Sequence, residues 1–228
     1  MLRSAFLLPL FLISTFIALS SCRQDTRTPV GVGEAKILPD TIRQEEVPTE
    51  GAVTYKVVEG TIFWSGQPAV GSAHNGIIRL SEGELLVNRG RLLSGTITID
   101  MNTIAVTDIA DGGERRDLEG HLKHADFFEV VKYPTGVFKF DEVLPSNLPE
   151  FNGVIAGELT LKGKTNPVNV PVKMTINADE LIAESPSFHI NRTQWGINFH
   201  SGVLGTAKDK LIQDMIILSL KLKAQKSP

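Results

Sequence analysis

Two histidines, His121 and His124, lie three residues apart in a stretch with helical spacing, and Asp117 and Asp126 flank them. Residues three apart share a helix face, so the two imidazoles could act together as metal ligands. A metal site also needs a third ligand and supporting hydrogen bonds, and the sequence indicates neither, so we predict no metal. Both histidines, with Lys123, are candidates for contact with an anionic head group such as a pyrophosphate. The alternative is a polar helix face that caps the domain.

Arg192 is a further candidate for a head-group contact, because a guanidinium binds phosphates and carboxylates in a bidentate geometry. The sequence favours a structural alternative, in which Arg192 forms an ion pair or clamps carbonyl oxygens at a corner of the fold. Trp195 follows three residues later and is expected to pack in the core or its wall.

Several classes of function are disfavoured. Neither G-x-S-x-G nor H-E-x-x-H occurs, and no glycine-rich phosphate loop precedes a helix, so we predict a non-enzyme without a cofactor. The formal net charge of -3 over 228 residues offers no broad basic surface, so no nucleic-acid partner is expected. The oligomeric state is left open.

The N-terminus has the features of an export signal. Met1–Arg3 is a short positive segment, and Ala5–Leu19 is an uncharged apolar run of about 15 residues, shorter than a membrane-spanning helix. Small residues then precede Cys22, the single cysteine of the chain, as in a lipobox. We predict that residues 1–21 are a lipoprotein signal peptide and that Cys22 is acylated, with chains such as palmitate. The alternatives are an ordinary signal peptide with an incidental cysteine, or an uncleaved anchor.

Lipidation gives the lone thiol a role, since no disulfide within the chain is possible. It places the mature protein in the bacterial cell envelope, anchored to the membrane and facing the periplasm or the cell exterior. Residues 22–51 combine prolines with scattered charges and have no sustained period, which predicts a flexible tether.

From residue 52 onward, apolar and polar residues alternate in short runs. Thr96–Met101, Gly136–Val143 and Val168–Ile176 each keep their apolar side chains on one parity. A period of two gives a strand one buried and one wet face. Short turns separate the runs, so we predict an antiparallel sandwich or barrel. The other predicted strands are Val53–Trp64, Gly76–Leu80, Glu84–Asn88, Ile155–Lys162, Leu181–Phe188 and Ile212–Leu220.

One segment departs from this alternation. Within Glu114–Phe128, the apolar residues Leu118, Leu122 and Ala125 recur at helical spacing. The segment is predicted to form a short helix or helical turns, although Gly120 in its interior costs about 1 kcal/mol relative to alanine.

These motifs together resemble the YceI-like family. The stretch Leu118–Thr135, LEGHLKHADFFEVVKYPT, resembles the family's G-H-L-K-x-x-D-F-F-D-V-x-K-Y-P-T, and it is the most specific match. Gly157–Val168 is similar to G-x-L-T-L-x-G-x-T-x-P-V, and Arg192–Ile197 to the late R-x-x-F/W-G-I. Gly95–Ile104 resembles the strand before the helix, and His74–Gly76 the early H-x-G. The matches keep the family's order over residues 52–225, but Gly60–Gly71 fits poorly.

The resemblance implies an all-β fold with one short helix: a lipocalin-like, antiparallel up-and-down β-barrel of about eight strands. It also implies a hydrophobic tunnel for an isoprenoid lipid, either a polyprenyl carrier or an isoprenoid quinone. The protein would then be a non-catalytic binding or carrier protein. Two alternatives stay open: an envelope protein-interaction module with a filled barrel, and a hydrolase.

The predicted tunnel wall consists of apolar side chains at inward parity or in the aromatic motifs. They are Phe63, Ile97, Ile99, Met101, Phe127, Phe128, Phe138, Phe140, Leu159, Leu161, Val170, Val172, Phe188, Trp195 and Phe199.

Overall fold

The computed structural model describes residues 49–202 and 211–228. The predicted signal peptide, Cys22 and most of the predicted tether lie outside these residues. The elements in chain order are β1 (Val53–Gly66), β2 (His74–Asn88), β3 (Arg91–Val106), α1 (Gly112–Lys123), β4 (Thr135–Leu144), β5 (Gly153–Leu161), β6 (Lys164–Ile176), β7 (Glu180–Glu184), β8 (Phe188–Asn191), a 3₁₀ turn (Arg192–Trp195) and β9 (Met215–Lys226).

The strands form a closed antiparallel barrel. Strands β1 to β7 pair in sequence order, and β9 pairs with β7 along one half and with β8 along the other. Because β7 and β8 share one place beside β9, the barrel has eight positions around its circumference. β9 also pairs with β1, from Tyr55–Lys226 to Ser65–Ile217, which closes the sheet. The predicted lipocalin-like barrel with one short helix is therefore confirmed.

Two predicted strand boundaries were wrong. Gly76–Leu80 and Glu84–Asn88 are parts of one strand, β2, which continues through Gly83. Leu181–Phe188 is two strands, β7 and β8, separated at Pro186. Proline has no N–H to donate to the ladder, so it interrupts the pairing with β9.

The helix α1 begins earlier and ends earlier than predicted. Asp111 caps it, since its Oδ1 accepts hydrogen bonds from the N–H groups of Gly113 (2.7 Å) and Glu114 (2.9 Å). The bonds from Glu114 and Gly113 hold the pKa of the Asp111 carboxyl below its usual value. The helix stops at Lys123 because His124 has extended backbone geometry, and Phe128 therefore lies in the turns that follow.

No helix in residues 49–202 or 211–228 is both long enough and apolar enough to cross a membrane.

A buried arginine holds the corner between the 3₁₀ turn and β9. The Arg192 side chain is 1% exposed, and its guanidinium donates to the carbonyl oxygens of Ile197 (2.8 Å), Ile212 (3.0 Å) and Gln213 (3.2 Å). It also pairs with Asp214 Oδ1 at 3.1 Å. Burial lowers the pKa of Arg192, and the charge of Asp214 opposes that shift. The structure thus contains both arrangements predicted for Arg192, the ion pair and the carbonyl clamp.

Some strand glycines make room for rings on the neighbouring strand. Gly76 on β2 lies opposite Trp64 on β1. A Cβ on Gly76 would come within 2.0 Å of the Ala105 carbonyl oxygen and 2.4 Å of Trp64 Cζ2. A side chain at this position therefore has no space unless the indole or the backbone moves.

We expect Gly76→Ala to lower the free energy of unfolding by about 1–3 kcal/mol, the usual cost of overpacking. Gly120→Ala in α1 is the matched control, because no atom lies within 4 Å of its added Cβ. That control should gain about 0.5–1 kcal/mol from helix propensity. Urea unfolding measures both. Equal stability of the two variants would contradict the packing described for Gly76.

A second prediction concerns Arg192. Arg192→Met removes the donors of three carbonyl oxygens and the partner of Asp214, so we expect a loss on the order of 3–5 kcal/mol. Asp214→Asn keeps the carbonyl contacts and should lose roughly 1 kcal/mol. Urea unfolding of both variants separates the two contributions. A larger loss in Asp214→Asn would show that the ion pair, rather than the carbonyl clamp, holds this corner.

Candidate binding cavity

The barrel encloses a cavity of about 380 Å³, within the size range of small-molecule binding sites. Every strand contributes to its lining, for example Ile62 from β1, Leu181 from β7 and Phe188 from β8. The lining is overwhelmingly aliphatic and aromatic. The barrel interior is therefore partly empty rather than filled with side chains.

The exposed residues of the cavity lining, His121 and Gln213, lie at one end of the barrel. We call this end the mouth; β1 ends there at Gly66, β2 begins at His74, and α1 lies beside them. A guest whose polar part lies at the mouth would therefore keep that part close to water.

Side chains close the opposite end. Tyr55 is 3% exposed, and its hydroxyl donates to the carbonyl oxygens of Asn177 (2.7 Å) and Ala178 (3.2 Å). Val87 and Ala224 are also buried, at 2% and 0% exposure. None of Tyr55, Val87 and Ala224 lines the cavity, so the cavity ends above them.

The predicted wall residues, except Phe63, all line this cavity, although ligand binding by them remains a prediction. They are Ile97, Ile99, Met101, Phe127, Phe128, Phe138, Phe140, Leu159, Leu161, Val170, Val172, Phe188, Trp195 and Phe199.

The prediction for Phe63 was wrong. Its side chain is 40% exposed on the outside of the barrel, while Ile62 and Trp64 line the cavity. The register between β1 and β9 shifts between Val57 and Glu59, as in a β-bulge. A bulge adds one residue to a strand, which exchanges its inner and outer faces beyond that point. Tyr55 therefore points inward at odd parity, and Trp64 points inward at even parity.

An aromatic cluster borders the mouth. The ring of Phe199 lies 4.5 Å from that of His121, 6.0 Å from that of Phe127 and 3.9 Å from that of His200. Phe127 also contacts Phe128, with 5.9 Å between ring centroids. The turns after α1 and the segment after the 3₁₀ turn thus bring rings from distant parts of the chain together over the cavity.

The structure separates the head-group candidates. His121 and Arg192 line the cavity, but Lys123 and His124 do not. His124 is exposed and its Nδ1 lies 3.2 Å from Asp126 Oδ2. His124 has left the helix, so it does not share a face with His121 as the spacing predicted. The donors of Arg192 are engaged with the protein as described above, which favours its structural role.

A histidine–aspartate pair lies at the mouth. His74 Nδ1 is 3.0 Å from Asp108 Oδ2, and Asp108 Oδ1 accepts from the Asn75 N–H at 2.9 Å. Burial raises the pKa of Asp108, but the hydrogen bonds from Asn75 and His74 outweigh it, and the net shift is downward. Among the described residues, no group of three or more His, Cys, Asp or Glu side chains is placed to hold a metal ion.

Several residues that line the cavity were not predicted from the sequence. Ile62 and Trp64 lie beyond the bulge in β1, where the parity was misassigned. Leu85, Leu218 and Leu220 also line the cavity. The apolar alternation of β9 was visible in the sequence, so its inward residues could have been included.

Known proteins with similar sequences are UPF0312 proteins of Vibrio cholerae. One, from serotype O1 strain M66-2, is 28% identical over 124 residues, covering 51% of this chain and 57% of the relative. Another, from strain O395, is 30% identical over 81 residues, covering 32% of this chain and 42% of the relative. The chain therefore spans less than two thirds of the length of the curated relatives it matches.

Solved structures that share the fold include the following two. BcnA of Burkholderia cenocepacia superposes with a TM-score of 0.56 at 18% identity, covering 78% of this chain and 99% of BcnA. A polyisoprenoid binding domain from Saccharophagus degradans, implicated in plant cell wall breakdown, gives a TM-score of 0.54 at 10% identity. That match covers 77% of this chain and 99% of the domain. At these identities the likeness shows the fold alone.

A sequence model of the YceI-like domain matches residues 53–224, which include the strands from β1 through most of β9. On this match the chain belongs to the YceI-like domain family.

Proposed function

We propose that this protein is a non-catalytic carrier that holds an isoprenoid-type lipid in the barrel cavity. The observation that carries the proposal is the apolar cavity of about 380 Å³, which has exposed lining residues at the mouth and ends beside the buried Tyr55. The fold shared with a polyisoprenoid binding domain supports the same class of ligand. The tail would lie along the barrel and the head at the mouth.

The hydrophobic effect supplies the driving force for such a complex. Each buried CH₂ contributes roughly 0.8 kcal/mol, and ordering a flexible tail offsets part of this gain. Because few polar side chains line the cavity, its length and bore would select the tail.

The two alternatives fit the structure less well. A filled-barrel interaction module requires a packed interior, and the cavity contradicts that arrangement. A hydrolase requires a polar pocket with free acids or bases. The cavity lining is overwhelmingly aliphatic and aromatic, and Arg192 in it donates to carbonyl oxygens of the protein itself.

We further propose that Cys22 anchors this carrier to a membrane of the cell envelope, with the barrel facing the periplasm or the cell exterior. The lipobox-like sequence before Cys22 and the absence of any other cysteine support this proposal. Stable anchoring takes more than one acyl chain, as lipoprotein acylation supplies.

The cavity proposal predicts that Val170→Trp lowers lipid occupancy at least tenfold. Val170 is 6% exposed and lines the cavity, so an indole there would fill the space that a tail needs. Val131→Trp is the matched control, since Val131 is 100% exposed. Full-length proteins purified from a bacterial host are extracted with organic solvent, and the isoprenoid lipid per protein is measured by mass spectrometry.

Thermal unfolding checks that the Val170→Trp variant folds. If it does not, Ile155→Phe replaces it, because Ile155 on β5 is paired with Val170 on β6. Equal lipid in the cavity variant and the Val131→Trp control would contradict the proposal, as would lipid-free wild-type protein.

The anchoring proposal predicts that Cys22→Ser abolishes the incorporation of radiolabelled palmitate. The thioether cannot form without the thiol. Serine keeps the size and polarity of the position. Continued labelling of this variant would refute the proposal.

A further inference from the structure

One polar atom of the cavity lining lacks a partner. Trp64 Nε1 is buried and has no hydrogen-bond acceptor among residues 49–202 and 211–228. The chain has two tryptophans, and the other one, Trp195, donates from Nε1 to the Leu159 carbonyl oxygen at 2.9 Å. Both rings line the same cavity, so the difference between them is local.

An unsatisfied buried donor is costly. An N–H group left without an acceptor loses its hydrogen bonds to water and gains none in return, and native structures rarely keep such a group without a reason. Phenylalanine would fill a similar space at this position without that cost. The indole N–H of Trp64 therefore requires an explanation beyond packing.

The surroundings of Trp64 hold the ring in place. Gly76 lies directly opposite on β2, and its missing side chain leaves the space that the ring edge at Cζ2 and Cε2 occupies. The residue stands two positions before the end of β1 at Gly66, so it lies near the mouth rather than near Tyr55. A donor at this depth lies where the head and the tail of an inserted amphiphile would join.

The charges around the cavity favour a neutral acceptor. Moving a phosphate into an apolar site is expensive unless a cation pairs with it. The buried cation in the lining, Arg192, already pairs with Asp214 and donates to three carbonyl oxygens. Of the two histidines in the lining, His74 lies against Asp108 and His121 is exposed. A carbonyl oxygen can accept from Trp64 Nε1 without this cost.

We infer that Trp64 Nε1 donates a hydrogen bond to a neutral carbonyl-type oxygen of the bound lipid, and so fixes the depth at which its head sits. This inference rests on the proposed lipid-binding function. It makes Trp64 a specificity-determining residue that distinguishes an oxygen-bearing head from a hydrocarbon of the same shape.

The test uses two probes that differ only in their oxygens, geranyl-1,4-benzoquinone and geranylbenzene. In delipidated full-length protein labelled with ¹⁵N at tryptophan, Trp64→Phe assigns the two indole N–H resonances. We expect the quinone to move the Trp64 indole proton downfield, as a new hydrogen bond would. Geranylbenzene should not produce this downfield shift, and the Trp195 resonance serves as the internal reference.

Affinity gives the second readout. Trp64→Phe should weaken binding of the quinone about three- to tenfold, the range expected for one net hydrogen bond, and leave binding of geranylbenzene unchanged. Thermal unfolding confirms that the variant folds; if it does not, Trp195→Phe assigns the two resonances instead, and the shifts in the wild-type protein remain decisive. Geranyl diphosphate is the anionic probe, and we expect it to bind more weakly than the quinone.

The outcomes separate this inference from the proposed function. If neither of the two neutral probes binds, the carrier proposal itself is contradicted. Equal effects of both neutral probes on the Trp64 resonance, or equal losses of affinity in Trp64→Phe, would overturn the role of Trp64 and leave the carrier intact. A Trp64 proton that is already downfield in the delipidated protein would overturn it too. Tighter binding of geranyl diphosphate would overturn the neutral-acceptor argument.

Discussion

The pairing of β1 with β9 is the constraint on which the rest of the structure depends. It joins the first and last strands along most of their length, so the sheet has no open edge there. Closure then forces alternate residues of every strand toward a shared interior. The apolar cavity, the mouth beside α1 and the closed end around Tyr55 all depend on this closed ladder of hydrogen bonds between the strands.

An eight-stranded barrel is narrow enough to fill with side chains, so the cavity needs its own explanation. Part of it lies in the pairing of glycines with rings. Phe140 lies opposite Gly95, and a Cβ on Gly95 would come within 2.7 Å of that ring. Similarly, a Cβ on Gly157 would come within 2.6 Å of the Phe138 ring. Large rings thus occupy space over the neighbouring strand that a side chain would otherwise take, which leaves the bore less crowded.

Local alternation predicted the fold and most of the cavity wall, because a period of two directly reports which face is buried. It failed where the period itself changes. The bulge near Val57 changes the inward-facing positions of β1 from odd-numbered residues such as Tyr55 to even-numbered ones such as Trp64. For this reason the prediction assigned Phe63 to the inner face, although its side chain is exposed. The carbonyl clamp of Arg192 was predicted, but which carbonyl oxygens it contacts, like the unpaired indole of Trp64, depends on distant backbone that a single sequence does not reveal. The end of α1 at Lys123 was not predicted either; there the N–H groups of Phe128 and Val130 bond to the carbonyl oxygens of Leu122 and Lys123.

The closed end of the barrel around Tyr55 has a consequence for how fast a guest can leave. A chain-like guest that enters at the mouth cannot pass through the barrel and must withdraw lengthwise by the path it took inward. If each methylene regains water on the way out at roughly 0.8 kcal/mol, residence time lengthens about fourfold per methylene. A long tail would then remain bound for much longer than rapid delivery of the lipid allows. Rapid delivery requires the mouth to meet a membrane or an apolar acceptor, so that the departing tail never crosses open solvent.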